Sequence, residues 1–178
     1  MINLKASEIA KIVGGELFGS EVTVTSAPAF DSSLATEGSI FLALVGEKTD
    51  GHNFISDAFI HGAVLAFATR EVPERCIVAK DVLVALNSLA SHVRQALPEL
   101  KVIALTGSQG KTTTKDLLRH ILETVAPTVA PAENFNNELG APITLLQCDE
   151  KTRFCILEMG ARHVGDIAKL CQMANPDI

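Results

Sequence analysis

Residues Thr106–Lys115 read TGSQGKTTTK and follow without a break on the apolar run Lys101–Thr106, KVIALT. A strand pattern thus enters Gly107-Ser108-Gln109-Gly110-Lys111-Thr112 and leaves as a helical pattern, which is the setting of a phosphate-binding loop. Closely spaced glycines let backbone N–H groups converge on phosphate oxygens, and the helix N-terminus behind them adds about half a positive charge. In this reading Lys111 neutralises phosphate charge, Thr112 offers its hydroxyl to Mg²⁺, and Thr113 continues the cradle. The general Walker A spacing would put a glycine five positions before Gly110, where Leu105 stands, so the three-residue step from Gly107 to Gly110 marks a subclass.

Around this loop the chain alternates strand and helix, the signature of a parallel α/β sheet. Leu117, Leu118, Ile121, Leu122 and Val125 are the expected buried face of the helix after the loop. Thr128–Ala130 reads as a short second strand, a helix is expected near Ile143–Cys148, and Phe154–Met159, FCILEM, as a third strand ending at Glu158. Ile167, Leu170, Cys171 and Ala174 mark a further helix, after which the terminal NPDI reads as entry into another strand. Ligands of parallel sheets bind beyond the carboxyl ends of strands, so Glu158 shares a crevice with Lys111 if their strands are neighbours.

Upstream, Ser7 is expected to cap a helix with Ile9, Ile12 and Val13 on one face and Gly14-Gly15 at its end. Glu21–Thr25, Ser39–Val45, Ala63–Ala68 and Cys76–Ala79 read as strands, with a helix around Phe54–His61. Asp81 caps a long helix, with Leu83, Leu86, Ala90, Val93 and Leu97 in step until Pro98. That helix joins two expected domains, residues 1–80 and 81–178. The predicted fold class is α/β: a small N-terminal α/β substrate-binding domain, then a truncated phosphate-loop ATPase domain with a parallel sheet.

Composition sets limits on function. An apolar fraction of 47% supports a buried core, and a net charge of -6 argues against wholesale nucleic-acid binding. No apolar run is long enough to span a bilayer, and the N-terminus reads as an amphipathic helix without a secretion signal, so a cytoplasmic location is expected. Cys76, Cys148, Cys155 and Cys171 have no metal-ligand spacing and read as reduced core thiols.

Three further groups carry alternatives. Glu158 suits a hard cation such as Mg²⁺, or is a loop-start carboxylate in solvent. Asn134, Asn136 and Asn137 can donate amides to phosphate, or simply form turns. His163 either touches substrate or phosphate, or caps a helix at the surface.

TGSQGKTTTK, the loop N134-F-N136-N137-E-L-G140-A-P142 and E158-M-G-A-R-H-V-G165-D-I together resemble the Mur ligase family. F30-D31-S32 and G38-S-I-F-L-A-L-V-G46-E-K-T-D50-G51-H-N-F resemble its N-terminal module for the UDP end of the substrate. The resemblance covers essentially the whole chain and is strongest to the branch that adds D-alanyl-D-alanine to UDP-N-acetylmuramoyl-tripeptide. It implies an ATP- and Mg²⁺-dependent peptide ligase of peptidoglycan synthesis, monomeric when complete, working through an acyl phosphate. Lys111 and Glu158 would be catalytic, Thr112 and Glu158 would hold the metal, and Gly107–Thr113 with Asn136 and Asn137 would bind ATP. Ser32, Gly46, Glu47, Lys48, Thr49, Asp50, Gly51 and His163 would face the UDP-substrate.

Two departures stand out: Ser33 where the family often has arginine, and Asp166 where glutamate is common. The resemblance also implies that a second-metal histidine, a carbamylated lysine and the D-alanyl-D-alanine site lie beyond residue 178, so little catalysis is expected from this chain alone. Another ATP-dependent amide ligase, such as a folylpolyglutamate synthetase or the preceding Mur ligase, and a non-catalytic nucleotide-binding module are the competing readings.

Overall fold

A computed structural model describes residues 1–47, 49–131, 138–161 and 163–178, and separates the chain into two compact units, Met1–Leu89 and Ala90–Ile178. The first contains β1 (Leu4–Lys5), α1 (Ala6–Val13), β2 (Glu16–Phe18), β3 (Thr23–Val24), β4 (Ser39–Leu42), α2 (Ile55–Ile60), β5 (Ala63–Ala68) and β6 (Cys76–Val78). Helix α3 (Val82–Ala96) carries the chain from this unit into the next.

The main sheet of the first unit runs β2-β6-β5-β4, with β4, β5 and β6 parallel and β2 antiparallel to β6. Strands β4 and β5 are apolar and almost wholly buried because they lie inside this sheet, with Phe41, Phe67, Ile40, Leu42 and Leu65 at the centre. A short strand-like stretch at Ala29 continues the parallel set on the far side of β4: Ala29 N–H donates to Ile40 O, and Leu42 N–H to Ala29 O, each at 2.8 Å. Of the five residues Glu21–Thr25, only Thr23–Val24 pair as a strand, with β1. Helix α1 starts one residue before the expected Ser7 cap. Glu8 reaches back to Lys5 N–H at 3.0 Å, and Ser7 N–H donates to Glu21 at 3.1 Å, so Ser7 lies inside the first turn.

In the second unit β7 (Lys101–Leu105), α4 (Lys111–Glu123), β8 (Thr128–Val129), α5 (Gly140–Leu146), β9 (Phe154–Glu158) and α6 (Asp166–Ala174) build a parallel sheet in the order β7-β9-β8. The step from β7 to β8 and the step back to β9 run in opposite directions along the sheet. Right-handed crossovers therefore place α4 and α5 on opposite faces. Central β9 is accordingly buried from Cys155 to Glu158. The terminal residues meet the other edge of β7 without forming a regular strand: Asp177 N–H donates to Val102 O, and Ala104 N–H to Ile178 O, both at 2.8 Å.

Helix α4 departs from its expected burial. Lys115, Leu118 and Leu122 turn inward, whereas Leu117, Ile121 and Val125 form an exposed stripe on the other side. The helix has more apolar residues than its sheet-facing stripe can hold, and periodicity alone counted both stripes as one face.

Arg94 in the second unit binds five oxygens: the carbonyls of Leu97, Leu100, Ala174 and Asn175, and Asp177 Oδ2 at 3.0 Å. The Asp177 carboxyl is held below the usual range by the Val102 N–H, assisted by Lys101 and Arg94. Arg94→Met is expected to cost about 2 kcal/mol in denaturant unfolding, less than for a fully buried pair because Asp177 keeps part of its hydration. Because that carboxyl's pKa is depressed, its contribution is present above the ordinary carboxylate range and is lost as pH falls through the lowered value.

Candidate phosphate and substrate sites

The phosphate loop lies at the carboxyl end of β7. Gly107 has φ 150° and Gly110 φ 79°, conformations that a side chain would strain, and an added Cβ at Gly110 would meet no atom within 4 Å. These glycines thus serve backbone direction, not close packing. Gly110 is the N-cap of α4, so the unpaired first-turn N–H groups of that helix open onto the loop. Lys111 Nζ folds back to donate to Gly107 O at 2.6 Å, and Thr114 Oγ1 closes the first turn on Gly110 O at 2.8 Å. Ser108, Gln109 and Thr113 stand exposed along the rim.

Parallel pairing of β7 with β9 sets Leu105 opposite Glu158. The condition for a shared crevice is therefore met. Glu158 is only 2% exposed, and its two carboxylate oxygens lie 3.4 and 3.5 Å from Thr112 Oγ1. Those distances are long for a hydroxyl–carboxylate hydrogen bond. Adjacent oxygens around an octahedral Mg²⁺, each about 2.1 Å from the ion, stand about 3 Å apart, so small adjustment would let Thr112 and Glu158 share one hard cation. The donor set, a hydroxyl beside a buried carboxylate, fits Mg²⁺.

Asn134, Asn136 and Asn137 lie outside the described residues, as does Lys48. His163 is exposed ahead of α6, and its backbone N–H donates to Asp166 Oδ2 at 2.8 Å, in the first turn of that helix.

The first unit has its own crevice side. Ser32 follows the strand-like Ala29, residues 43–51 follow β4, and Thr69-Arg70 follow β5, so all three leave the sheet where parallel strands end. Asp31 accepts from Ser33 N and Oγ, at 2.9 and 2.7 Å, shaping the turn that carries the buried Ser32. Gly46 and Thr49 close a tight turn through Gly46 N–H to Thr49 O at 2.9 Å, and Glu47 is exposed at its tip. At Gly51 a Cβ would come within 2.6 Å of Leu44 N and O, so only glycine lets the returning strand lie this close.

Asp50 and Gly51 prove to be the frame of that turn. Asp50 Oδ1 accepts from His52 N and Nδ1 at 2.9 and 2.6 Å, and Oδ2 accepts from Arg70 at 2.8 Å. Arg70, then the His52 backbone and ring, hold the Asp50 carboxyl far below its ordinary range. His52 Nε2 faces the N–H of Thr69 at 3.1 Å, which can only donate, while the carboxylate at Nδ1 can only accept; the ring is therefore the Nδ1–H tautomer. Buried His52 and exposed Arg70 escaped the sequence reading, although the D-G-H spacing of Asp50-Gly51-His52 is a local signal for such a braced turn.

Residues 105–178 match the Mur ligase middle domain. The chain is 40% identical over its full length to UDP-N-acetylmuramoyl-tripeptide–D-alanyl-D-alanine ligase of Mycobacterium leprae, of which it spans 40%. It is 36% identical over 99% of its length to the ligase of the same name from Escherichia coli, spanning 39% of that protein. Among solved structures, the UDP-N-acetylmuramoylalanyl-D-glutamyl-2,6-diaminopimelate–D-alanyl-D-alanyl ligase of Acinetobacter baumannii superposes with a TM-score of 0.87 at 34% identity, over 99% of this chain and 40% of that one. The MurF ligase of Thermotoga maritima in complex with ADP gives 0.71 at 33% identity, over 86% of this chain and 36% of that one. The chain thus spans about two-fifths of the length of the relatives it matches. Matching fold and whole-length sequence similarity agree with the middle-domain match, and the chain is similar throughout its length to two-fifths of these Mur ligases.

Proposed function

We propose that this chain provides the UDP-substrate module and the phosphate-binding part of the ATP site of a ligase that joins D-alanyl-D-alanine to UDP-N-acetylmuramoyl-tripeptide. Residues 1–80 take the UDP end, through Ser32 and the Gly46–Gly51 turn, and residues 81–178 take ATP. The reaction belongs to cytoplasmic peptidoglycan precursor synthesis, and the complete enzyme works as a monomer. The observation that carries this reading is the juxtaposition of Thr112 with buried Glu158 behind the Gly107–Gly110 loop. No described helix is long and apolar enough to cross a membrane.

A carboxylate is a poor electrophile, so its activation by the γ-phosphoryl group of ATP gives an acyl phosphate that the amine of D-alanyl-D-alanine attacks, releasing phosphate. Such transfer needs alignment and charge neutralisation more than covalent help. Lys111 and the loop N–H groups hold the phosphates in line. Thr112 and Glu158 would hold Mg²⁺, which supplies charge neutralisation on the phosphates when bound. Asn136 and Asn137 would donate further amides, and His163 would approach the substrate.

Titration of UDP-N-acetylmuramoyl-tripeptide into the 178-residue chain is expected to give saturable binding, displaced by UDP, without phosphate release in the presence of ATP. Absence of saturable binding would overturn the assignment of residues 1–80 to the UDP-substrate.

A further inference from the structure

Lys115 is 4% exposed, yet it is a lysine on the sheet-facing side of α4. Its Nζ donates to Pro131 O at 3.2 Å and lies 3.1 Å from the carboxylate of Asp116, which is itself half-exposed. A buried ammonium loses several kcal/mol of hydration, and its partners among the described residues, one neutral carbonyl and one solvated carboxylate, return little of it. A methionine would fill the same space without that cost. Packing among the described residues therefore gives no reason for the charge.

Its location gives one. Lys115 is four residues beyond Lys111, one turn or about 6 Å along the same helix, and on the same side. Pro131 lies just past the carboxyl end of β8, the phosphate loop follows β7, and Glu158 ends β9. The ammonium of Lys115 therefore sits at the edge of the sheet where all three parallel strands release their loops.

We propose that Lys115 is a positioning residue of the nucleotide site: a buried cation that ties the exit of β8 to the phosphate-loop helix and adds positive potential at the bound phosphates without touching them. The inference rests on the nucleotide reading of the Gly107–Thr112 loop. In low-dielectric surroundings a unit charge about 10 Å from a phosphate, at an effective dielectric near 20, changes binding by roughly tenfold per phosphate charge. Its effect must then scale with the charge of the ligand.

The test measures the affinities of ATP, ADP and adenosine, each with Mg²⁺, for the intact protein carrying Lys115→Met or Lys115→Arg, with thermal unfolding of each variant as a check on folding. Lys115→Met is expected to keep the wild-type unfolding midpoint or raise it, while weakening ATP about tenfold or more, ADP less, and adenosine not at all. Lys115→Arg is expected to retain most of the ATP affinity. Equal losses for all three ligands, or no loss for ATP, would overturn the proposal by reducing Lys115 to a packing role. Should Lys115→Met fail to fold, Lys115→Gln gives the same comparison with a polar side chain. Failure of the wild-type protein to bind ATP would instead remove the nucleotide reading itself.

Discussion

Lys111→Ala is expected to lower ATP-dependent ligation by the complete enzyme a hundred- to a thousandfold, with an unchanged circular dichroism spectrum and unfolding midpoint. Half-buried Lys111 makes a single described contact, to Gly107 O, within its own loop, so little of the fold depends on it. In the proposed phosphoryl transfer, by contrast, its ammonium would be the only full positive charge of the Gly107–Thr112 loop. Loss of one preorganised charge-stabilising group typically costs about 3 kcal/mol in the transition state. Single-turnover rates at saturating ATP separate this effect from weakened binding. Near-normal turnover in Lys111→Ala would remove the loop from catalysis.

Glu158→Gln is expected to lower turnover by about a hundredfold and to weaken Mg²⁺-dependent nucleotide affinity, while binding of metal-free nucleotide stays the same. Glutamine keeps the size and most hydrogen-bonding capacity of this buried side chain, so the packing of β9 against its neighbours should survive. It removes the negative charge that a hard cation requires. Measuring ATP affinity across a Mg²⁺ titration reads this directly, and an unaltered Mg²⁺ dependence would show that Glu158 is not a metal ligand. Thr112 belongs to the same prediction, since its hydroxyl is the nearest described oxygen partner of Glu158.

The strand, glycine loop and helix from Lys101 to Glu123 were legible because each signal is local: an apolar run, two glycines at a fixed step, then a helical period. Asp81 was legible as a cap for the same reason, and its carboxylate accepts from Leu83 and Val84 N–H at 2.7 and 3.0 Å. Glu158 could be named from the sequence but not placed, since its approach to Thr112 depends on β9 lying between β7 and β8. Strand order is a long-range property. Lys115 was missed because a lysine within a helix is normally read as solvent-facing, and the structure turns it toward the sheet in place of Leu117. His52 and Arg70 were missed because their role lies in a contact across seventeen and twenty residues that joins the end of β5 to the turn after β4. The cap lies two positions before the expected Ser7, at Lys5, whose N–H is taken by Glu8, while Glu21, remote in sequence, takes the Ser7 N–H.

In the proposed reading, Lys111 in the loop, Lys115 beneath it on the same helix face and buried Glu158 would make the carboxyl edge of the second unit's sheet a preorganised phosphate and metal site. The most direct test of that account is phosphate release by the complete protein given MgATP and UDP-N-acetylmuramoyl-tripeptide, measured with and without D-alanyl-D-alanine. The expected result is steady release only when all three substrates are present, with one D-alanyl-D-alanine joined per phosphate. Steady release that ignores the tripeptide and dipeptide, or none with all three present, would contradict it.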